Sequence, residues 1–578
     1  MRGARGKSVP KIESFALGSL PVVNPFLRRL KLEAILSPYL PSLDRRQKLA
    51  PIRALLVLLR NLLVSREPLY GVGAWAAPFE PSLLGLSRSE VALLNDDRIG
   101  RALEDLFDAD RPSLVLRVVV QAVREFGLRL DRFHNDSTTI SFHGLYRVAD
   151  GRRRRGKPTP KITFGHPKDH RSDLKQLLWN LTVTEDGTVP VDYQVLSGNV
   201  TDDQIHRQTW DVLATLAGGP DFLYVADSKL CTKVNLLHID DRKGRFLTVL
   251  PATRKEDRRF RDWMQGHEVP WKEVLRRAHP SKRTHPPDVF RAYEDPDGSA
   301  EGFRVVWFHS TEKEKRDRQE RDDKIDRAVR ELQSLRDRLA SPRTRLRRRD
   351  KVDKAVERLL EATGAKRWLE VAVTRHDEEK YRQSKPGRPG PQTTYRRKLR
   401  LRFDVAWMPN EETRRYDLKT DGIFPMITND RKLSPKKILK AYKLGQPRLE
   451  VRHHHLKAFH QVAPQYLKSV TRIEAFLCVY FLALLVNALI EREIRSGMKR
   501  RRVRSLALYY EDRPCKRPTT EQVLKAFDGL MLHRLRMRDA ENGGHVYPPE
   551  LTPLQRRLLR LLGLPPDVYR LQNARRSP

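Results

Sequence analysis

The chain has 578 residues and carries 113 Lys and Arg against 73 Asp and Glu, which gives a formal net charge of +40 at pH 7. This length exceeds what one hydrophobic core supports, so we expect about three to four domains. The charge predicts a polyanionic partner, most commonly nucleic acid, although a ribosome-associated or membrane-surface protein would show the same balance. Cys231, Cys478 and Cys515 contain no CxxC pair, which excludes a disulfide framework or a cysteine zinc site and predicts a reducing cytoplasm.

Two segments bear on membrane targeting. The N-terminus is basic but has no continuous apolar run, so we expect no signal peptide. Residues 475–490, AFLCVYFLALLVNALI, form an apolar run that contains Asn487. Because a membrane span needs about 20 apolar residues, we expect this segment to be a helix buried on every side in a soluble protein.

Helical periodicity dominates up to residue 128. PIRALLVLLRNLLV (51–64) is apolar on most faces, and NDDRIGRALEDLF (95–107) begins with a capping Asn or Asp. We therefore expect a helical N-terminal domain over 1–128, which either serves packing alone or binds DNA ends.

The periodicity changes to that of strands and short helices over 129–252. The predicted strands are RFHNDSTTISF (132–142), QLLWNLTVT (176–184), VPVDYQVL (189–196), FLYVA (222–226) and RFLTVLP (245–251). The turn EDG joins the second and third strands as a hairpin, and helices separate the later ones. A meander followed by strand-helix alternation predicts an α/β fold with a mixed sheet.

Residues 253–420 break this pattern and are predicted to be an insertion into the α/β core. A charged stretch, 311–340, carries apolar residues at three- and four-residue spacing: Ile325, Val329, Leu332, Leu335 and Leu339. SPRT interrupts this stretch and KVDKAVERLLEATG resumes it, which predicts a helical hairpin. The runs WLEVAVTRH (368–376) and YRRKLRLRFDVAW (395–407) predict strands.

The core is predicted to resume over 421–500. GIFPMITND (422–430) is a predicted strand, and a helix begins at LSPKKILKAYK with Ser434 as its cap and Pro435 in its first turn. A separate helix, RLEVRHHHLKAF (448–459), is predicted before the apolar run. Residues 501–578 are expected to form a basic, loosely patterned tail.

Three acidic residues, Asp136, Asp227 and Glu450, are candidate metal ligands. Asp136 lies inside a predicted strand, where a carboxylate either faces solvent or needs a partner or a metal. Asp227 follows an apolar strand, the usual ligand position of an α/β sheet, or it caps the segment that follows. Glu450 lies on a basic helix, with Lys457 two turns later on the same face. Two strands and a helix can bring three carboxylates together to hold two divalent cations, as in-line phosphodiester cleavage requires.

The segments around these acids resemble the DDE transposases of bacterial insertion sequences, which have a ribonuclease-H-like fold. The similarity is to the subgroup with a Y-R-E-K signature near the last acid. The matching segments are 165–202, VADSKL (225–230), DGIFPMITND (421–430) and, more loosely, REPLYGVGAWA (66–76). The resemblance covers about residues 60–560.

This resemblance implies that Asp136, Asp227 and Glu450 are the catalytic acids and that they bind Mg²⁺ or Mn²⁺. It also implies an all-β or mixed insertion between the last core strand and the helix that carries Glu450. Glu474 is the competing third acid, because it also precedes an apolar helix, and we expect it to cap that helix or form a salt bridge.

The signature itself implies four candidate DNA contacts. Tyr442 and Lys457 correspond to the Tyr and Lys positions, although Tyr442 lies one residue further from Glu450 than is usual. Gln446 occupies the Arg position, and Arg448 lies nearby. The departure at Gln446 leaves open how the phosphate at the transposon end is held.

The implied function is metal-dependent cleavage at insertion-sequence ends and strand transfer into target DNA, by a cytoplasmic homodimer or larger multimer. One alternative is a nuclease of the same fold that cuts without joining. The other is a DNA-binding protein whose catalytic centre is inactive. No Walker-type glycine loop is present, so we expect no nucleotide cofactor.

Several other signals favour phosphate contacts. Basic runs occur at 152–155, 343–351, 395–402 and 499–504. KPGRPGP (385–391) resembles a minor-groove hook around Arg388, because narrow minor grooves attract Arg, but an ordinary Pro-rich loop is the preferred interpretation. His453–His455 are consecutive on a predicted helix and point in different directions, so we expect them to contact solvent or the DNA backbone rather than to form one metal site.

Overall fold

The computed structural model describes residues 11–41, 48–165, 167, 171–200, 205–278, 285–459, 467–509, 511, 513–536 and 545–570. Within these ranges only the backbone is described for Lys11, Leu444, Gln446, Ala458, Phe459 and Arg536. The chain forms two compact units. One comprises Met1–Thr248 with Leu439–Pro578, and the other comprises Val249–Ile438.

The first unit begins with one strand and a series of helices. These are β1 (Lys11–Ala16), α1 (Leu20–Arg29), α2 (Leu32–Leu36), α3 (Pro51–Val64), α4 (Val72–Ala76), α5 (Pro81–Leu84), α6 (Arg88–Val91), α7 (Asp96–Asp108) and α8 (Arg111–Phe126). Asn95 caps α7 by accepting a hydrogen bond from the N–H of Arg98, as its sequence predicts. The predicted helices are confirmed, whereas β1 was not predicted.

A mixed sheet follows in the first unit. Its strands and the intervening helices are β2 (Arg132–Phe142), β3 (Lys175–Thr184), β4 (Pro190–Ser197), α9 (His206–Ala217), β5 (Leu223–Val225), α10 (Lys233–Asp241) and β6 (Arg245–Val249). These strands lie in the order β4-β3-β2-β5-β6. The first three pair antiparallel, whereas β5 pairs parallel with both β2 and β6. The α/β fold with a mixed sheet is therefore confirmed.

Burial explains why this sheet forms. Nine of the ten residues of β3 and every residue of β5 are buried, and strands covered on both faces read as continuous apolar runs. β2 is buried at most positions, and Asp136 is one of its few half-buried residues. Strand β2 thus carries a carboxylate near its centre.

The second unit combines antiparallel strands with helices. In chain order these are α11 (Lys255–Gly266), β7 (Lys272–Arg277), β8 (Asp288–Glu294), β9 (Arg304–Ser310), α12 (Thr311–Ala340), α13 (Arg349–Thr363), β10 (Leu369–Gln383), β11 (Tyr395–Pro409), α14 (Glu411–Thr420) and β12 (Ile423–Thr428). Strands β12, β9, β8 and β7 are neighbours in that order. The predicted helical hairpin is α12 with α13, and its seam residues Leu332, Leu335 and Leu339 are buried against the base of β10 and β11.

The rest of the chain returns to the first unit. Its elements are α15 (Pro435–His454), a π-helical turn (His455–Phe459), α16 (Val470–Arg500), β13 (Leu506–Ala507), β14 (Pro514–Cys515), α17 (Thr520–Lys525), β15 (Met531–Arg536), β16 (His545–Tyr547) and α18 (Pro553–Leu562). One continuous helix, α15, replaces the two helices predicted there, and it runs through Pro447. Regular structure also continues beyond Lys499, where we expected a loosely patterned tail, and α17 and α18 each begin with a capping box.

Helix α16 contains the long apolar run. Among the described helices it is the one that length and composition would allow to cross a membrane, and 94% of its most apolar stretch is buried inside the protein. Asn487 is buried too, and its carbonyl accepts a hydrogen bond from the Thr520 hydroxyl. This burial agrees with the helix predicted over 475–490.

Candidate active site

The first acid, Asp136, lies at the middle of β2 with its side chain half-buried. Its Oδ1 accepts a hydrogen bond from the N–H of Ser137 at 2.8 Å. Its Oδ2 lies 3.6 Å from Nε2 of His453, which α15 supplies. Asp136 therefore does not face solvent freely, as the simpler interpretation of the sequence held.

The second acid, Asp227, lies just beyond the end of β5, the strand that pairs parallel with β2. His134 pairs with Val225 at the end of this parallel ladder, and in sequence each acid lies two residues further along its chain segment. Neighbouring strands lie about 5 Å apart, so the ladder ends near both acids.

Asp227 also caps the turn that follows it. Its Oδ1 accepts a hydrogen bond from the N–H of Lys229 at 3.1 Å, and its backbone carbonyl accepts one from the Thr248 hydroxyl at 2.5 Å. The capping role that the sequence allowed is thus present. It fixes the carboxylate at the end of β5 and leaves Oδ2 outside that hydrogen bond.

Helix α15 approaches β2 closely because it has a glycine at the point of contact. A methyl carbon at Gly445 would lie 1.9 Å from Cε1 of His134, far inside van der Waals contact. His134 is itself buried and shares its face of β2 with Asp136. The small residue therefore brings the helix that carries Glu450 against the strand that carries Asp136.

The third acid, Glu450, lies exposed on α15, one residue after the buried Leu449. Glu450 and the other two acids all affect the pKa of one side chain, Tyr442, which also lies on α15. Burial raises the pKa of Tyr442, and the negative charges of Asp227, Asp136 and Glu450 raise it further. Three carboxylates that are distant in sequence thus act electrostatically on one phenol.

A buried ionic cluster fixes α15 two residues beyond Glu450. Nη2 of Arg452 lies 3.0 Å from Oε2 of Glu491 on α16, and both side chains are 2% exposed. Nε of Arg452 donates to the carbonyl of Thr188, and Nη2 donates to that of Gly187, in the turn between β3 and β4. Nη1 of Arg452 lies 3.3 Å from Nδ1 of His455. We call Arg452, His455 and Glu491 the Arg452 cluster.

The charges of this cluster compensate one another. Although burial alone would raise the pKa of Glu491, Arg452 and Arg495 lower it below its ordinary value. Burial, with Arg452 beside it, lowers the pKa of His455 to about 4. The imidazole is therefore neutral at physiological pH, and its Nδ1 can accept a hydrogen bond from the guanidinium.

The structure changes the interpretation of the three histidines. His453 is buried beside Asp136 and His455 belongs to the Arg452 cluster, whereas His454 is exposed. Because His453 is buried, the expectation of solvent contact is wrong for this residue. Its position three residues after Glu450 places it on the same side of the helix as that acid, but the sequence does not show which side of the helix is buried.

The remaining signature residues are spread along α15 and the turn after it. Arg448 is half-buried, and Lys457 is half-buried within the π-helical turn. Because that turn is wider than an α-helical one, Lys457 does not keep the angular position relative to Glu450 that two α-helical turns would give. The side chain of Gln446 lies outside the described residues.

Two other buried acids have their own roles. Glu474 forms an ion pair with Arg111 at 2.5 Å, which confirms the expected salt bridge, and burial raises its pKa. Burial also raises the pKa of Asp192, on β4, to about 7. Neither group interacts with Tyr442 as Asp136 and Asp227 do.

The donor set can be tested against a divalent cation. Three carboxylates are hard oxygen ligands, which Mg²⁺ prefers, so the types of side chain suit such an ion. Within the part of the chain that the structure describes, however, no three His, Cys, Asp or Glu side chains are grouped closely enough to hold one metal ion.

Comparisons with known proteins give limited information. A family model described as a domain of unknown function, DUF4277, matches residues 12–120, in the N-terminal helical part. No curated protein matches the chain. Among solved structures, the chain has a weak similarity to a cryo-EM structure of the piggyBac transposase synaptic complex with hairpin DNA, at 11% identity and a TM-score of 0.25. That match covers 47% of this chain and 59% of the other, and a likeness at this level carries no argument about function.

Proposed function

We propose that this protein is a DDE transposase, which cleaves DNA at the ends of an insertion sequence and joins those ends to target DNA. The observation that carries the proposal is the placement of the three acids: Asp136 is on β2, Asp227 directly follows the parallel strand β5, and Glu450 is on α15, which packs closely against β2 where Gly445 meets His134. The charges of all three acids also contribute to the raised pKa of Tyr442.

The order of the strands supports a ribonuclease-H-like interpretation of the first unit. The first unit has three antiparallel strands in a meander and two parallel strands beside the first of them, an arrangement compatible with the core that the sequence resemblance implies. In sequence, the second unit lies between β6 and α15. This is the position in which the resemblance implies an insertion domain.

The roles of the site residues follow from their chemistry. Asp136, Asp227 and Glu450 would hold Mg²⁺ or Mn²⁺, which supplies charge stabilisation to the phosphate and acidifies the attacking hydroxyl when it is bound. His453, whose Nε2 lies 3.6 Å from Oδ2 of Asp136, would position that carboxylate. Lys457 would hold the phosphate under attack as a point charge.

The partners follow from the reaction. In the first step water attacks the phosphorus at the element end, and the 3′ oxygen of the cleaved bond leaves as a hydroxyl. In the second step that 3′-OH attacks a target phosphorus, and the target's own 3′ oxygen leaves. Each step forms one P–O bond and breaks one: the first is a hydrolysis and the second a transesterification, so neither needs a nucleotide cofactor. Paired ends require a homodimer or a larger multimer.

A strand-transfer assay tests the proposal directly. A labelled fragment from the DNA flanking the native gene and a supercoiled plasmid are incubated with the wild-type protein or with Glu450→Gln, with and without Mn²⁺. We expect metal-dependent joining by the wild type and a loss of at least about 100-fold in the variant, because the carboxylate charge is removed. Glu450 is exposed, so the variant should fold normally, and circular dichroism checks this.

Glu474→Gln is the matched control, because it removes a carboxylate that is paired with Arg111. It should still join DNA. Nicking without joining would replace the proposal with a nuclease, and binding without cleavage by the wild type would replace it with an inactive DNA-binding protein. If Glu450→Gln is fully active and Glu474→Gln is folded but inactive, the third catalytic acid is Glu474 and not Glu450.

A further inference from the structure

The second unit carries a long two-stranded arm. β10 and β11 pair antiparallel over 15 residues each, from Leu369 opposite Pro409 to Gln383 opposite Tyr395. At its base, Phe403 and Val405 are buried against α12 and α13. Beyond the base the side chains are mostly exposed. We call residues 380–400 the distal arm.

The register divides the distal arm into two faces. Directly opposite residues of an antiparallel pair share a face, and alternate residues along each strand do so too. One face carries the apolar side chains Tyr381, Tyr395 and Leu399, which are 62%, 52% and 60% exposed. The other face carries only basic side chains over two successive cross-strand pairs. These pairs are Lys380 opposite Lys398 and Arg382 opposite Arg396.

The charge of the arm is only partly compensated. Between residues 380 and 403 the sequence has nine Lys and Arg and no Asp or Glu. Lys380 pairs with Glu378, which precedes the distal arm. In the described part of the chain, no ion pair is formed by the other three basic residues of these two cross-strand pairs, Arg382, Arg396 and Lys398.

Folding alone does not account for this arrangement. Like charges directly opposite each other destabilise a two-stranded sheet, and the arm has two such pairs in succession. A polyanion lying along the basic face would remove the repulsion and gain the entropy of the counterions released. The arrangement therefore favours an anionic partner with regularly repeated charges.

We propose that the basic face of the distal arm binds the phosphate backbone of duplex DNA. The major groove of B-form DNA is wide enough for a two-stranded β-ribbon, whereas the deep, narrow major groove of double-stranded RNA is not. Contacts to phosphates position a protein on the duplex without reading its sequence. The arm thus holds DNA for the proposed function, although its binding does not depend on the catalytic acids.

Fluorescence anisotropy with the full-length protein tests this inference. The probe is a labelled 30-bp duplex of arbitrary sequence, titrated in EDTA at several salt concentrations. The test variant combines Arg382→Gln, Arg396→Gln and Lys398→Gln. We expect affinity to fall about tenfold or more. The slope of log Kobs against log salt should become shallower by about 0.9 for each phosphate that the variant no longer neutralises.

The matched control removes the same charge from α12 of the same unit, by Arg327→Gln, Arg330→Gln and Arg338→Gln. All three side chains are exposed, and they lie among acidic neighbours. The control should keep most of the affinity and the wild-type slope. Equal effects of the two triple variants would overturn the inference, as would a loss of single-stranded DNA or RNA binding with duplex binding intact.

The two proposals can fail separately. If the wild-type protein shows arm-dependent binding but joins no DNA, the inference about the arm holds and the proposed transposase function is wrong. If the arm variant binds and joins DNA as the wild type does, the transposase function holds and the inference about the arm is wrong.

Discussion

At the scale of single residues, the contact between Gly445 and His134 determines how close α15 comes to β2. The imidazole fills the space that a side chain at position 445 would need. Glycine costs about 1 kcal/mol relative to alanine inside a helix, so its presence in the middle of α15 opposes helix stability. Close packing against the strand of Asp136 offsets that cost.

Gly445→Ala should therefore destabilise the protein although alanine favours the helix. We expect a loss of about 1–3 kcal/mol from overpacking, measured from the urea midpoint, together with loss of strand transfer. Combining the change with His134→Ala should cost less than the sum of the two single changes, by about 0.5–3 kcal/mol.

Gly266→Ala is the control for this experiment. A methyl group there meets no atom within 4 Å, so the change should be neutral or slightly stabilising. If Gly445→Ala behaves like Gly266→Ala, the contact with His134 does not limit the approach of the helix.

At the scale of elements, local pattern predicted β2, β3, β4, β5 and β6, because each has either alternation or an apolar run bounded by turn residues. The same reasoning failed over 433–459. Two separate helices were predicted there, yet α15 continues through Gly445 and Pro447, since tertiary packing outweighs propensity. β1 pairs with β15, near the other end of the sequence, and no local pattern carries that information.

The sequence suggested the three acids of the candidate site but not the residues around them. Asp136 and Asp227 were recognisable because a carboxylate within or directly after a buried strand needs a reason. His453 and Arg452 were not, because their partners belong to elements that are distant in sequence. Which side of α15 is buried decides their roles, and only the packed structure gives it.

The Arg452 cluster joins α15 to α16 and to the turn between β3 and β4, and it makes stability depend on pH. The pKa of His455 is about 4 in the folded protein against an ordinary value of 6.5. The unfolded chain therefore binds the proton more tightly, and the stabilisation is present above pH 6.5 and is lost as the pH falls towards 4. This contribution is at most about 3 kcal/mol.

His455→Gln isolates this effect, because glutamine can still accept a hydrogen bond from Arg452 but does not titrate. Urea midpoints between pH 7.5 and 4.5 should fall more steeply for the wild type than for the variant. If the urea midpoints of the two proteins fall equally with pH, His455 does not gain a proton on unfolding. Protonation of carboxylates would then account for the acid sensitivity.

At the scale of the whole molecule, the net charge of +40 and the small group of carboxylates have opposite electrostatic effects on a polyanion such as DNA. Excess Lys and Arg attract DNA whatever its sequence, with affinity that falls steeply with salt. In the proposed function, Asp136, Asp227 and Glu450 would place negative charge where the phosphate binds. Without a cation these acids repel the backbone, so attraction by the surface and reaction at the site are separable properties.

Chelation of metal should separate them. In EDTA the wild-type protein should still bind a labelled duplex, with about the same slope of log Kobs against log salt, because that slope counts phosphate contacts made by Lys and Arg. Cleavage and joining should disappear and return with Mn²⁺. Asp136→Asn should bind as the wild type does and stay inactive in Mn²⁺. Loss of duplex binding in EDTA would show instead that the cation is part of the DNA-binding surface, and the charge of the chain would not by itself account for its affinity.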